Sequence, residues 1–190
     1  MIRRQQRFVV ALTLGLVTGC ATTPEANFYT LSATSPPAER SSRPSIEVGP
    51  VSVPTQIDRP ELVVTTGPNQ VRLEAFHRWA APVQDEVAGA VAANLAALLD
   101  TGHVTLAGRT LDAEYRVAIE VQRLESVLGR AATLDAFWEV RRARDGRARA
   151  GRTTARENAS QPTHAAIVAA HSRAVSRLSR DIAEAIRALD

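Results

Sequence analysis

The chain contains no lysine: all 23 of its basic residues are arginine. That bias reflects a genome rich in G and C rather than a mechanism. It has one cysteine, Cys20, which excludes an intramolecular disulfide and a thiolate metal cage. The fold must therefore stand on its apolar core. No apolar run approaches the roughly 20 residues that a membrane-crossing helix needs. Neither G-x-S-x-G, G-x-G-x-x-G nor a P-loop occurs, so a nucleophile elbow, a dinucleotide turn and a Walker phosphate cradle are all missing. The four histidines, His77, His103, His164 and His171, include no pair at the i, i+4 spacing of a helical metal site. His164 and His171 share a helix face, which reads as one core-edge and one surface histidine. The expectation is a protein with no catalytic residues and no metal.

What is present begins at the N-terminus. Arg3, Arg4 and Arg7 precede the short apolar run from Phe8 to Val17, followed by Thr18-Gly19-Cys20. A basic start, a short apolar middle and small residues before a cleavage point make a secretory signal. Val17-Thr18-Gly19-Cys20 resembles the lipobox of bacterial lipoproteins. There the chain is cut between the residues corresponding to Gly19 and Cys20, and the cysteine carries a diacylglycerol on sulfur and an acyl chain on nitrogen. Residues 1–19 are thus expected to be a lipoprotein signal peptide. No cofactor is expected beyond those acyl chains, two or three of which make a stable membrane anchor. Ala21 follows Cys20, where inner-membrane lipoproteins usually carry Asp, so the resemblance implies the periplasmic face of an outer membrane. Residues 1–19 hold three arginines and no acid. The mature chain balances 20 basic against 20 acidic residues, and the sequence pI of about 9.9 is no sign of nucleic-acid binding.

Residues 20–44 read as a lipidated tether and flexible segment, with a short strand at 28–31 and a Ser- and Pro-rich stretch from Ser32 to Pro44. Residues 45–190 read as one domain. Ile46–Val53 alternates and is broken near Gly49-Pro50. Leu62–Thr66 and Val71–Phe76 flank a Gly-Pro-Asn-Gln turn. Pro82 opens a helix whose apolar face is Val83, Val87, Val91, Leu95, Leu98 and Leu99, with Gly102 as a left-handed cap. Val104–Ala107 is a brief strand. Tyr115–Val121 and Leu134–Val140 alternate with period two, Asp145-Gly146 marks a hairpin, and Ala148–Glu157 returns. A final helix begins between Ser160 and Thr163, with Ile167, His171, Val175, Leu178, Ile182, Ile186 and Leu189 as its seam. The order β-β-β-β-α-β-β-β-β-α implies an α+β fold, a single mostly antiparallel sheet with two helices packed on one face.

Several stretches together resemble the PqiC-type ABC-transport auxiliary lipoprotein family. They are Phe28–Leu31, Val51–Val63 with Asp58-Arg59-Pro60, Arg78–Pro82, Asn94–Leu99, and Val168–Ala174 running to Leu178–Ile182. Gln56-Ile57 departs from the pattern, and the Arg141–Arg156 hairpin is unusually rich in arginine. The resemblance implies a compact α+β domain. It also implies a non-catalytic accessory role beside an MCE-domain protein and an ABC transporter that move lipid between membranes, and it is compatible with a homo-oligomer. Two rival readings remain: a lipoprotein regulator of an envelope or cell-wall enzyme, and a lipid-carrier module.

Four residues are candidates for partner binding. Asp58 and Arg59 either fix a loop with Pro60 or meet a partner. Arg78 and Trp79 either pack as a lid on the domain or form an exposed anchor. Arg141, Arg142, Arg144, Arg147 and Arg149 cluster on one hairpin. That cluster is either a solvated edge that resists pairing with other sheets, or a contact for anionic phosphate groups of a membrane leaflet or an acidic partner surface.

Overall fold

A computed structural model describes residues 24–36, 44–108 and 112–190. The signal segment, Gly19 and Cys20 lie outside the described residues. The elements are β1 (Asn27–Tyr29), β2 (Ile46–Ser52), β3 (Glu61–Gly67), β4 (Gln70–Trp79), α1 (Val83–Leu98), β5 (Val104–Leu106), β6 (Tyr115–Val127), β7 (Ala131–Arg142), β8 (Ala148–Asn158) and α2 (His164–Leu189).

The α+β class and the element order agree with the sequence reading; the single antiparallel sheet does not. The described residues form two sheets, both mixed. A five-stranded sheet has the order β5-β2-β6-β7-β8, and a three-stranded sheet has the order β1-β4-β3. In the large sheet β2 runs parallel to both β5 and β6, whereas β6, β7 and β8 form an antiparallel meander. In the small sheet β1 is parallel to β4, and β3 and β4 form the expected hairpin. Alternation reveals a strand but not its neighbour, and the parallel partners here are separated by whole hairpins and helices.

Both helices cover one face of the large sheet. Ile46, Val48, Tyr115, Val117, Leu134, Ala136 and Val140 point into the core and meet Val87, Val91, Leu95, Val175, Leu178 and Ile182 of the helices. These side chains are nearly or wholly buried, the valines, leucines and isoleucines each contributing about 1.5–3 kcal/mol by leaving water. The α2 seam is the heptad-like stripe of the sequence lying across a sheet. Thr163 caps α2 by accepting the Ala166 N–H at 3.2 Å. Pro82 occupies the cap position of α1 rather than its first turn. Asp100, at φ 51°, takes the left-handed conformation after α1 that was expected of Gly102. None of the described helices is long and apolar enough to cross a membrane.

Candidate interaction surfaces

The segment that follows residue 26 is built into the fold. Residues 24–26 are exposed, and then Asn27–Tyr29 pairs with His77–Trp79. The next residues cross the two helices as a strap. The Leu31 N–H donates to Glu86 Oε2 at 2.8 Å, and the Ser32 N–H to Ser172 Oγ at 3.2 Å. The N–H groups of Thr34 and Ser35 share Asn94 Oδ1 at 3.1 and 3.3 Å. Glu86 and Asn94 lie on α1 and Ser172 on α2, and all three are buried. Periodicity alone gives these polar helix residues no role; a strap whose amides need acceptors explains them.

The fold brings together the two pairs proposed for partner binding. The Trp79 N–H donates to the Pro60 carbonyl at 2.7 Å, and Glu61 is the register partner of Arg78. Asp58 is exposed, and Arg59 is half-buried in a turn closed by hydrogen bonds to the Pro54 carbonyl. Arg78 pairs with Glu61 at 3.2 Å and donates to the Ala75 carbonyl. Trp79 is a core residue, 6% exposed, with its ring edge-on to His171 at 6.4 Å. The lid alternative therefore holds for Trp79 and the exposed-anchor alternative does not, because inward-facing Trp79 follows outward-facing Arg78 on β4.

One cluster escaped the sequence reading. His77 on β4 and His164 at the start of α2 stack with ring centroids 3.6 Å apart and 11° between planes. The Tyr29 hydroxyl lies 2.9 Å from His77 Nδ1, and Glu74 Oε2 lies 3.2 Å from His164 Nε2. Burial first, and then the neighbouring His77, lower the His164 pKa. Burial raises that of Tyr29. The two histidines are 87 positions apart, so no local signal links them. His171 is fully buried, which corrects the core-edge expectation. Its Nε2 lies 2.8 Å from Ser126 Oγ, and burial lowers its pKa to about 4. Among the described residues no group of three or more His, Cys, Asp or Glu could hold a metal.

The arginine hairpin joins β7 to β8 at the C-terminal end of α2. Arg141, Arg144, Arg147 and Arg149 are exposed, and Arg141 is paired with Glu139 at 2.8 Å. Arg142 leaves the set, since its side chain is 1% exposed and cannot face a membrane or partner. It grips Asp145 through Nε and Nη2 at 3.1 and 2.5 Å and donates to the Asp190 carbonyl at 3.2 Å. This bidentate contact holds the Asp145 carboxyl below its usual range. Tyr115, fully buried, donates from its hydroxyl to Asp190 Oδ1 at 3.3 Å. Arg142 thus fastens the hairpin to the end of α2 and so aims the four exposed arginines.

On the face of the large sheet away from the helices lies an open concavity of about 400 Å³, lined by Pro50, Ala118, Phe137 and Ala150, with Glu120 and Glu139 beside them. Arg152 forms a two-point ion pair with Asp135 at 2.8 and 2.6 Å and lies 5.1 Å over the Phe137 ring. Arg152 holds the Asp135 carboxyl below its ordinary pKa.

A family model described as an ABC-type transport auxiliary lipoprotein component matches residues 29–183. No curated protein matches the chain. A crystal structure of an uncharacterized protein superposes with a TM-score of 0.70 at 18% identity, covering 86% of this chain and 99% of that one. A Xanthomonas campestris protein superposes with a TM-score of 0.63 at 23% identity, covering 82% and 92%. A PelC dodecamer from Paraburkholderia phytofirmans gives a TM-score of 0.37 at 18% identity, over 77% and 93%. The first two are similar in fold; the third is too distant in shape to support an argument.

Proposed function

Because the chain belongs to the ABC-type transport auxiliary lipoprotein family, we propose that it is a non-catalytic accessory subunit of an MCE/ABC-type intermembrane lipid transport system, held by acylated Cys20 on the periplasmic face of the outer membrane. The strap carries this reading. Residues 27–29 are paired with β4, and Leu31 and Ser32 are fastened to the two helices. Six residues, 21–26, then separate the acylated cysteine from the folded domain. Fully extended, the stretch from Cys20 to Asn27 reaches about 25 Å. The strand β1 adjoins the N-terminal end of α2 through the Tyr29–His77–His164 contacts. The arginine hairpin is at the other end of that helix, whose 26 residues span about 39 Å. Acyl chains on Cys20 would thus hold one end of the domain near the bilayer, leaving the hairpin to face the periplasm. Of the two functional roles for the arginines, an acidic partner surface fits this geometry better than phosphate groups of the anchoring leaflet. The mechanism is binding and geometry, with no bond chemistry.

The test is a pull-down of the full-length lipidated protein, gently solubilised from its own membranes, with companions identified by mass spectrometry. An MCE-domain protein together with an ABC ATPase is the expected result. A cell-wall synthase in their place, or a lipid retained by the protein alone, would reject this role in favour of an enzyme regulator or a lipid carrier.

A further inference from the structure

Five large apolar side chains are exposed among the described residues: Phe28, Val71, Leu73, Phe76 and Phe137. Four of them lie on one face of the small sheet. Phe28 is the register partner of Arg78, and Phe76 is two residues from Arg78 on the same strand. Glu61 also pairs with Arg78, which puts Glu61, Val63 and Thr65 on that side of β3, and Val63 and Thr65 pair with Leu73 and Val71. The irregular register between Glu61 and Leu62 shifts the parity of β4. It turns Val71 and Leu73 to the same side as Phe76, although odd and even positions of a regular strand face opposite ways. Phe28 is 65% and Val71 57% exposed. The opposite side carries the inward residues Leu62, Val64 and Trp79. Glu61, a carboxylate on the apolar side, is neutralised by Arg78 at 3.2 Å.

We propose that this face of the small sheet, centred on Phe28, Val71, Leu73 and Phe76, lies against the interfacial region of the lipid bilayer that holds the acylated cysteine. The inference rests on the proposed acylation of Cys20. The occupant follows from the chain: Phe28 is eight residues from Cys20, so a fully extended backbone keeps it within about 29 Å of the anchor. An apolar sheet face held within that distance of the membrane surface is favoured to bury itself there. Aromatic rings suit the boundary between headgroups and acyl chains, and a second, weak apolar contact adds to the acyl anchor and fixes the orientation of the domain.

The experiment uses the full-length lipidated protein in vesicles of phosphatidylethanolamine and phosphatidylglycerol. Acylation of Cys20 leaves no other thiol, so Val71→Cys, Leu73→Cys and, as a distant control, Arg144→Cys each accept one nitroxide label. All three positions are exposed, and both phenylalanines remain in place. Accessibility to oxygen, which concentrates in lipid, is compared with accessibility to a water-soluble nickel chelate. Labels at 71 and 73 should favour oxygen several-fold, and the label at 144 should favour the chelate. Combining Phe28→Ser with Phe76→Ser should abolish the preference at 71 and 73. Vesicle-bound protein with all three labels open to the chelate would overturn the docked face while leaving the anchor intact. Protein that fails to float with vesicles and carries an unmodified Cys20 peptide by mass would overturn both. Labels open to the chelate in pure vesicles but shielded from both reagents in native membranes would assign the face to a protein and reject the bilayer as its occupant.

Discussion

His171 shows how one buried side chain ties stability to pH. Its pKa is near 4 in the folded protein and about 6.5 when unfolded. Between those values the unfolded chain binds a proton that the folded chain refuses. The contribution of His171 is therefore complete above about pH 6.5 and is lost as pH falls toward 4, amounting to at most about 3 kcal/mol. His164, also lowered by burial, acts in the same direction. Urea unfolding at pH 7, 5.5 and 4.5 should show a falling midpoint, and His171→Gln should flatten most of that slope while leaving the part due to His164. An unchanged slope in the variant would remove His171 as its source. Gly151 is the steric counterpart. A Cβ there would overlap the Trp138 ring, whose Nε1 donates to Thr153 Oγ1 at 3.1 Å. Because β7 and β8 set Trp138 directly opposite Gly151, the ring cannot retreat without losing that bond. Gly151→Val should cost about 1–3 kcal/mol, read as a lowered unfolding midpoint. Gly151 is the one glycine within β8, and a glycine in a strand interior often marks such a close approach.

At the level of elements, alternation and heptad spacing carried the order of eight strands and two helices, with ends off by a few residues. Tyr115–Val121 is one example: the strand runs on to Val127, beyond an irregularity between Val121 and Arg123 that breaks the period of two. What was illegible is long-range. The parallel neighbours of β2, the stacked His77–His164 pair and the strap depend on where distant segments meet. Asn94 makes the point. On a binary pattern it is a polar residue amid alanines, yet it is 0% exposed. Its Nδ2 donates to the Ala90 carbonyl at 2.9 Å while its Oδ1 accepts two strap amides. Asn94→Ala removes the acceptor for both amides and should cost about 1–2 kcal/mol. Hydrogen exchange at residues 31–35 should rise well above that of α1 and α2. Equal acceleration in the helices would mean that Asn94 supports the core rather than the strap.

For the whole molecule the decisive relation is that β1 and the arginine hairpin occupy opposite ends of α2. This separates two roles that a list of arginines cannot. If Arg144, Arg147 and Arg149 meet an acidic partner, replacing all three by glutamate sets like charges against each other at that contact, which costs affinity and slows association. Recovery of the MCE-domain companion in a pull-down should drop about tenfold or more. Raising the salt from 50 to 300 mM should weaken the original complex, because exposed charges are screened beyond about 10 Å at ordinary ionic strength. Flotation with vesicles should not change, since the proposed anchor is Cys20. Cys20→Ser should do the reverse, abolishing flotation while leaving the soluble domain able to capture the companion. Arg142 must be spared in this design, because its burial against Asp145 and the Asp190 carbonyl makes Arg142→Glu a folding defect. Should the triple glutamate variant lose flotation and keep the companion, the hairpin would be the membrane contact and the domain would lie along the bilayer rather than project from it.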